Sequence, residues 1–226
     1  RKKLKKIISN SPLNFELFIF KKNLFYWPAA KKIILEKFKL QKNYSDWLMI
    51  CNNDIVFNDQ FFLEKLFKLN NIDYHLIGPR IINSANKDLN PFLLKPMSKK
   101  RKLYWKFYFK SYYFSRFLKL ITSFKFFLKS RREIKKIRKV YAIHGSAMIF
   151  SKHFFLKGGM IDDNFELFGE EITTAEICKI FNCKIFYVPN LILTHNEHST
   201  TKKINDRNIY DLAKKSHYYF FEKYNL

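Results

Sequence analysis

A chain of 226 residues with 47% hydrophobic and 19% aromatic residues can build one domain with a proper core, which excludes a disordered chain. Its 43 Lys and Arg against 19 Asp and Glu give a net charge of +24, so an anionic partner is expected: nucleic acid, anionic lipid headgroups or a phosphorylated small molecule. Cys51, Cys178 and Cys183 are odd in number and lack metal-type spacing, which argues against a disulfide framework or a zinc site, and no uncharged apolar run approaches the ~18 residues of a spanning helix.

The chain starts at Arg1 rather than Met and shows no signal-peptide pattern, as a piece of a longer protein would. Residues 1–10, RKKLKKIISN, read as the end of a basic helix, and FELFIF (15–20) as a short buried strand. In 28–40, Pro28 in the first turn and Ile33, Ile34 and Phe38 at spacings of three to five predict a helix. DWLMIC (46–51) reads as a second strand. Residues 60–69 follow as a helix with Asn58 or Asp59 as its cap, then YHLIGPRII (74–82) as an extended segment turned at Gly78–Pro79. Beyond residue 139 come an extended stretch over 140–150, a short helix near 151–159, a loop to 171 and a helix through 173–181. Strands at 184–188 and 191–195 and a last helix at 205–224 close the chain. Strands alternating with helices predict an α/β fold in a single domain over 1–226, with 95–139 inserted into it.

The candidate chemistry starts at WLMICNNDIVF. An apolar strand stops at Asn52, Asn53 and Asp54, where side chains can converge on a ligand beyond a strand's carboxyl end. One carboxylate with an amide oxygen suits a hard divalent cation, Mg²⁺ or Mn²⁺, completed by phosphate oxygens and water. Taken alone, the same triplet reads as an Asx-rich turn. Downstream, HGSAMIFSKHFFLKGGMIDDNFELFGEE (144–171) carries four of the five glycines and ends in Glu170 and Glu171, acids that also suit the first turn of any helix. VPNLILTHNEHS places His195 at another strand end, with His198 as a competitor.

As an ordered set these segments resemble the family-2 glycosyltransferases of GT-A fold, especially the bacterial, rhamnosyltransferase-like branch acting on surface polysaccharides. LMICNNDIVF is similar to their DXD-type strand end, and the 144–171 stretch to their glycine-rich run into an acidic pair. VPNLILTHNEHSTT is similar to their strand with a His-x-x-x-Ser ending, and NLFYWPAAKKI to the Asn-led entry of the helix before the metal motif. The match covers most of 15–226 without the middle block. It implies a mixed sheet flanked by helices, lacking the family's opening strand–helix–strand unit, and an inverting, metal-dependent transfer of a hexosyl or rhamnosyl group from a UDP- or dTDP-linked donor. By the same resemblance Asp54 holds Mn²⁺ or Mg²⁺ with His195 and Asn52. Asn52, Asn53, Gly145 and Ser146 border the donor, Glu171 stands where the family has its catalytic base, and Glu170 orients it or binds acceptor. The family usually has Asp where this chain has Glu171, and an acid where it has Asn52.

Residues 95–139 interleave Lys and Arg with rings from Trp105 to Phe127, and on a helical wheel the rings surround the stripe of Lys102, Lys106 and Lys110. Two readings stay open with equal weight. One is an interfacial segment on anionic lipid, which places the protein in the cytoplasm on the inner face of the cell membrane with a glycan or lipid-linked acceptor. The other is an acceptor-side helical subdomain whose lysines snorkel. A non-catalytic membrane- or nucleic-acid-binding protein on a degenerate transferase scaffold is the alternative, and it ranks below the enzyme because no RNA-binding signature is present.

Overall fold

The computed structural model describes residues 14–39, 45–127, 134–196 and 205–226; the basic helix expected over 1–10 and the competitor His198 lie outside them. Helix α1 (Tyr26–Ile34) runs on into a π-helical turn, Leu35–Lys39. Strand β1 (Trp47–Cys51) and the short β2 (Ile55–Val56) precede helix α2 (Phe62–Phe67) and strand β3 (Leu76–Asn83). Helices α3 (Lys99–Tyr108) and α4 (Tyr112–Phe127) follow, then β4 (Arg138–Lys139), β5 (Ala147–Ser151) and α5 (Lys152–Leu156). Helix α6 (Glu170–Ile180), strand β6 (Ile185–His195) and helix α7 (Asp206–Lys223) complete the order.

The strands form one mixed sheet in the order β1-β5-β3-β6-β2, with β4 also on β6. Strand β5 is antiparallel to both β1 and β3, while β3 and β6 are parallel, so β1, β3 and β6 all point the same way. Their alternating side chains feed two cores. Leu76, Met148 and Phe150 join Trp27 of α1, Phe154 of α5 and Ile172 and Ala175 of α6 on one face. Ile77, Ile149 and Leu193 join Phe62 and Leu66 of α2 on the other. Completely buried Trp27, Phe150 and Phe154 anchor the first face.

Three sequence expectations change. FELFIF forms no strand; it leaves Phe15, Leu17 and Ile19 exposed, since no strand among the described residues pairs with it. Gly78–Pro79 is no turn but the middle of β3. Ile143 packs so closely on Gly78 that a Cβ there would fall 2.4 Å from its Cγ2, which is why glycine stands in a strand. Residues 185–195 form one strand, not two, and the irregularity is a register shift beside Pro79–Arg80 that absorbs Pro189. Among its described residues the middle block holds the two helices α3 and α4 and ends in β4. Ser98 caps α3 by accepting the Arg101 amide at 3.3 Å, and Tyr108 and Phe109 pack with Tyr210 of α7 in a third cluster.

Candidate active site

Strands β1 and β2 lie at opposite ends of the strand order although only residues 52–54 separate them, so this turn crosses the end of the sheet. Hydrogen bonds fix the crossing: the Asn52 amide donates to the Ser146 carbonyl at 2.9 Å, and the Asn196 amide to the Asp54 carbonyl at 3.0 Å. Because Ile55 pairs with His195, Asp54 must sit beside the last residue of β6. Its Oδ1 lies 3.1 Å from His195 Nε2, with the two side chains 18% and 10% exposed. A carboxylate and an imidazole from residues 141 positions apart thus share one half-open recess at the carboxyl ends of the parallel strands.

The entry to β5 forms the adjoining wall. The His144 ring stands 6.3 Å from that of His195, edge on, and its Nδ1 is 2.9 Å from Ser146 Oγ. The His144 amide is held by Asn90 Oδ1 at 2.7 Å. Gly145 donates its amide to Glu171 Oε1 at 3.1 Å, and a Cβ on Gly145 would lie 3.1 Å from that same oxygen. The close backbone approach at Gly145 is therefore to Glu171, and the absence of a side chain there lets the carboxylate reach the Gly145 amide. Asn53 is exposed in the turn, and Asn52 is half-buried.

Helix α6 presents the acid pair from its first turn. Just ahead of it Phe168 has φ 67°, a left-handed conformation that a phenylalanine adopts only when its surroundings enforce it. The kink buries Glu170, whose Oε2 accepts the Gly169 amide at 2.9 Å, and leaves Glu171 half-buried. Burial, followed by the neighbouring Glu171, pushes the Glu170 carboxyl up to about 8. Hydrogen bonding to the backbone of Glu170, Gly169 and Phe168 acts the other way and is outweighed.

Glu171 and His144 also line a second space, a cavity of about 420 Å³ between α3, α4 and α7. Sequence reasoning missed His144 and this cavity. His144 was legible only as the neighbour of Gly145, and the cavity depends on how three helices pack. The structure thus brings Asp54 and His195 into contact and joins Glu171 to them through His144–Ser146. Asn52 and Ser146 meet through their backbones, and Glu170 lies buried behind Glu171.

The fold, a mixed sheet with flanking helices, is GT-A-like. One solved structure of this fold, GalNAc-T7 crystallised with UDP, GalNAc and Mn²⁺, matches with a TM-score of 0.53 and 13% identity. The match covers 88% of this chain and 36% of that one, so this chain spans well under half of its length. No protein-family profile matches the chain, and no curated protein does.

Proposed function

We propose that the chain is a metal-dependent inverting glycosyltransferase that moves a hexosyl or rhamnosyl group from a nucleotide-diphosphate donor to a glycan or lipid-linked acceptor. The observation carrying this reading is the 3.1 Å contact of Asp54 with His195, in a recess whose adjoining wall holds Glu171. A carboxylate, an imidazole and the nearby amide of Asn52 are donors that fit Mn²⁺ or Mg²⁺. No cluster of three or more His, Cys, Asp or Glu able to hold a metal occurs among the described residues, so diphosphate oxygens and water fall to the remaining positions. The cation, when bound, neutralises the charge of the leaving diphosphate.

Each residue then has a task. Asp54 and His195 hold the cation with Asn52, while Asn53, Gly145 and Ser146 border the donor. Glu171 accepts the proton of the acceptor hydroxyl as that oxygen bonds to the anomeric carbon. The bond from that carbon to the diphosphate breaks on the opposite side, and its electron pair leaves with the diphosphate. The Gly145 amide holds the Glu171 carboxylate in position. Titration with Mn²⁺ and UDP or dTDP, followed by thermal melting, tests the reading: metal and nucleotide should stabilise together. Asp54→Ala should remove that shift, whereas Glu171→Gln should keep it and lose turnover. A chain that Mn²⁺ and neither nucleotide stabilises overturns the reading.

The membrane-facing part of the proposal rests on α3 and α4, where Phe107, Tyr113, Phe114 and Phe117 stay exposed among lysines and arginines. Rings at headgroup level with cations beside them suit an anionic membrane surface, and no helix of the described residues is long and apolar enough to cross one. That location, and a role in bacterial surface polysaccharide synthesis, are supported by this face and by the motif order. The same face supports the second reading, non-catalytic binding of membrane or nucleic acid. Salt-sensitive oligonucleotide binding without any response to Mn²⁺ and nucleotide-sugar would favour it.

A further inference from the structure

We propose that Tyr26 is a positioning residue for Glu171: its hydroxyl anchors the peptide that follows Gly145, and the Gly145 amide in turn holds the carboxylate where it meets the acceptor proton. The proposal rests on the transferase reading above, in which Glu171 is the base, and adds to it a side chain from the first turn of α1.

The loop 144–146 reaches the Glu171 carboxylate through the Gly145 amide, at 3.1 Å. That N–H belongs to the planar peptide between His144 and Gly145, so the dihedrals on either side decide where it points. At a glycine those dihedrals are weakly restrained, because no Cβ limits them. The aim of the amide must therefore come from the flanking peptides. On one side the His144 amide donates to Asn90 Oδ1 at 2.7 Å. Asn90 is buried, and its Nδ2 donates to the Pro79 carbonyl at 2.8 Å, which fixes the orientation of the side chain.

On the other side lies the peptide between Gly145 and Ser146. Its N–H donates to His144 Nδ1 at 3.2 Å, a contact inside the loop that turns with it. Its carbonyl, that of Gly145, accepts from the Tyr26 hydroxyl at 3.4 Å, and Tyr26 is 119 positions away on a separate element. This contact ties the peptide to the frame. The distance is long for an O–H···O bond, as catalytic hydrogen bonds often are before substrate tightens them. Tyr26 is itself firmly placed. The Phe25 amide donates to Asn23 Oδ1 at 2.9 Å, Phe25 takes a left-handed φ of 59°, and Trp27 beside it is completely buried. Burial, then Cys51, Glu170 and Glu171, push the Tyr26 phenol well above its ordinary 10.0, so the hydroxyl stays a donor.

Tyr26→Phe removes the hydroxyl and keeps the ring, and two measurements on the full chain test it. The first is hydrogen exchange of the Gly145 amide by NMR, without ligand. It should quicken about fivefold in the variant, while exchange at Ile149 in β5 stays as it is. The second is steady-state turnover of a panel of UDP- and dTDP-linked hexoses with Mn²⁺. Here kcat should fall about fivefold, with a smaller rise in donor KM and the joint Mn²⁺–nucleotide stabilisation unchanged. In a Glu171→Gln background the same substitution should lower the residual kcat no further, since no base is left to position. Equal losses in the two backgrounds overturn the proposal, because a side chain that only supports the fold acts alike in both. Unchanged exchange at Gly145 overturns it too, as does an unaltered kcat. If no member of the panel turns over, the exchange result alone decides. Faster exchange at Gly145 in a chain whose Glu171→Gln variant turns over normally keeps Tyr26 as the anchor of the loop and removes the base assignment alone.

Discussion

At the end of the sheet, four short segments deliver polar groups close together: backbone pairing sets Ile55 opposite His195 and Asn52 against Ser146, and the Glu171 side chain joins them through the Gly145 amide. In the lobe of α3, α4 and α7 no ladder exists, and rings packed on rings fix the geometry. The two regions meet at Glu171, which belongs to the recess and also lines the cavity. The difference separates chemistry from recognition. Substitutions in the recess should alter turnover with little change in stability, and substitutions in the lobe should alter stability or ligand affinity with the metal–nucleotide response intact.

The largest expected effect is on turnover. Glu171→Gln removes the proton acceptor but keeps an oxygen for the Gly145 amide, so kcat should fall by about 10²–10⁴. Its melting temperature should move by no more than about 2 °C. Steady-state turnover of nucleotide-sugar beside a thermal melt checks both; normal turnover would remove Glu171 from the mechanism.

Next is a stability effect in the lobe's foundation. Buried Asp162 accepts hydrogen bonds from the Tyr219 hydroxyl at 2.8 and 2.9 Å, from the Tyr224 hydroxyl at 2.8 Å and from Lys223 at 2.9 Å, tying the end of α7 to the loop before α6. Burial raises this carboxyl, but the hydrogen bonds from Lys223, Asn164, Tyr224 and Tyr219 together hold it below its ordinary 3.8. A depressed carboxyl contributes stability above its unfolded value, and the contribution is lost as the pH falls below about 3.8. Asp162→Ala leaves Tyr224 without its acceptor and Lys223 with only the Tyr219 hydroxyl at 2.7 Å; because Lys223 is 42% exposed, the change should cost about 2–3 kcal/mol in denaturant unfolding. If the regions are separable, the variant still responds to Mn²⁺ and UDP below its melting point. A cost under about 1 kcal/mol would mean that α7 is held by its apolar face alone.

The same division explains what the sequence makes legible. An apolar run ending in Asn52–Asp54 and another ending in His195 mark strand ends, and strand ends of an α/β sheet gather where ligands bind. Glu171 could be singled out because glycines precede it and because the ordered motifs resemble a known family. Gly78–Pro79 misleads, because the reason for that glycine is Ile143, which is 65 residues away in the chain and invisible to local pattern. In α3 and α4, rings lie all round the helices, so period alone does not separate buried Tyr108 and Phe109 from exposed Phe107 and Phe114. Burial there is decided by Tyr210 and His217, a hundred residues further on.

A smaller effect sharpens the boundary at Gly145. A Cβ there would meet Glu171 Oε1 at 3.1 Å and Glu170 Cβ at 3.3 Å, contacts that a shift of a few tenths of an ångström relieves. Gly145→Ala should therefore fold normally and move the base slightly, lowering kcat about tenfold and raising the donor KM by less, since the loop also borders the donor. If instead only the donor KM rises and kcat holds, Gly145 serves the donor alone and the Glu171 contact is incidental.

The smallest effect is a slope in stability with pH, and it belongs to the buried member of the acid pair. Glu170 keeps its proton in the folded chain up to about 8, whereas the unfolded chain releases it near the ordinary 4.5. Between those values the folded state binds more protons than the unfolded one, so stability falls as the pH rises from about 4.5 to about 8. Below that window both states are protonated and the group contributes no slope. Glu170→Gln cannot ionise, and its amide oxygen can still accept the Gly169 amide that Glu170 Oε2 takes now. The variant should melt at the wild-type temperature near pH 4.5 and at least about 4 °C above it at pH 8, flattening the profile. Equal melting at pH 8 would mean that Glu170 ionises in place, so that both acids at the head of α6 carry charge and the kink at Phe168 holds them against their repulsion.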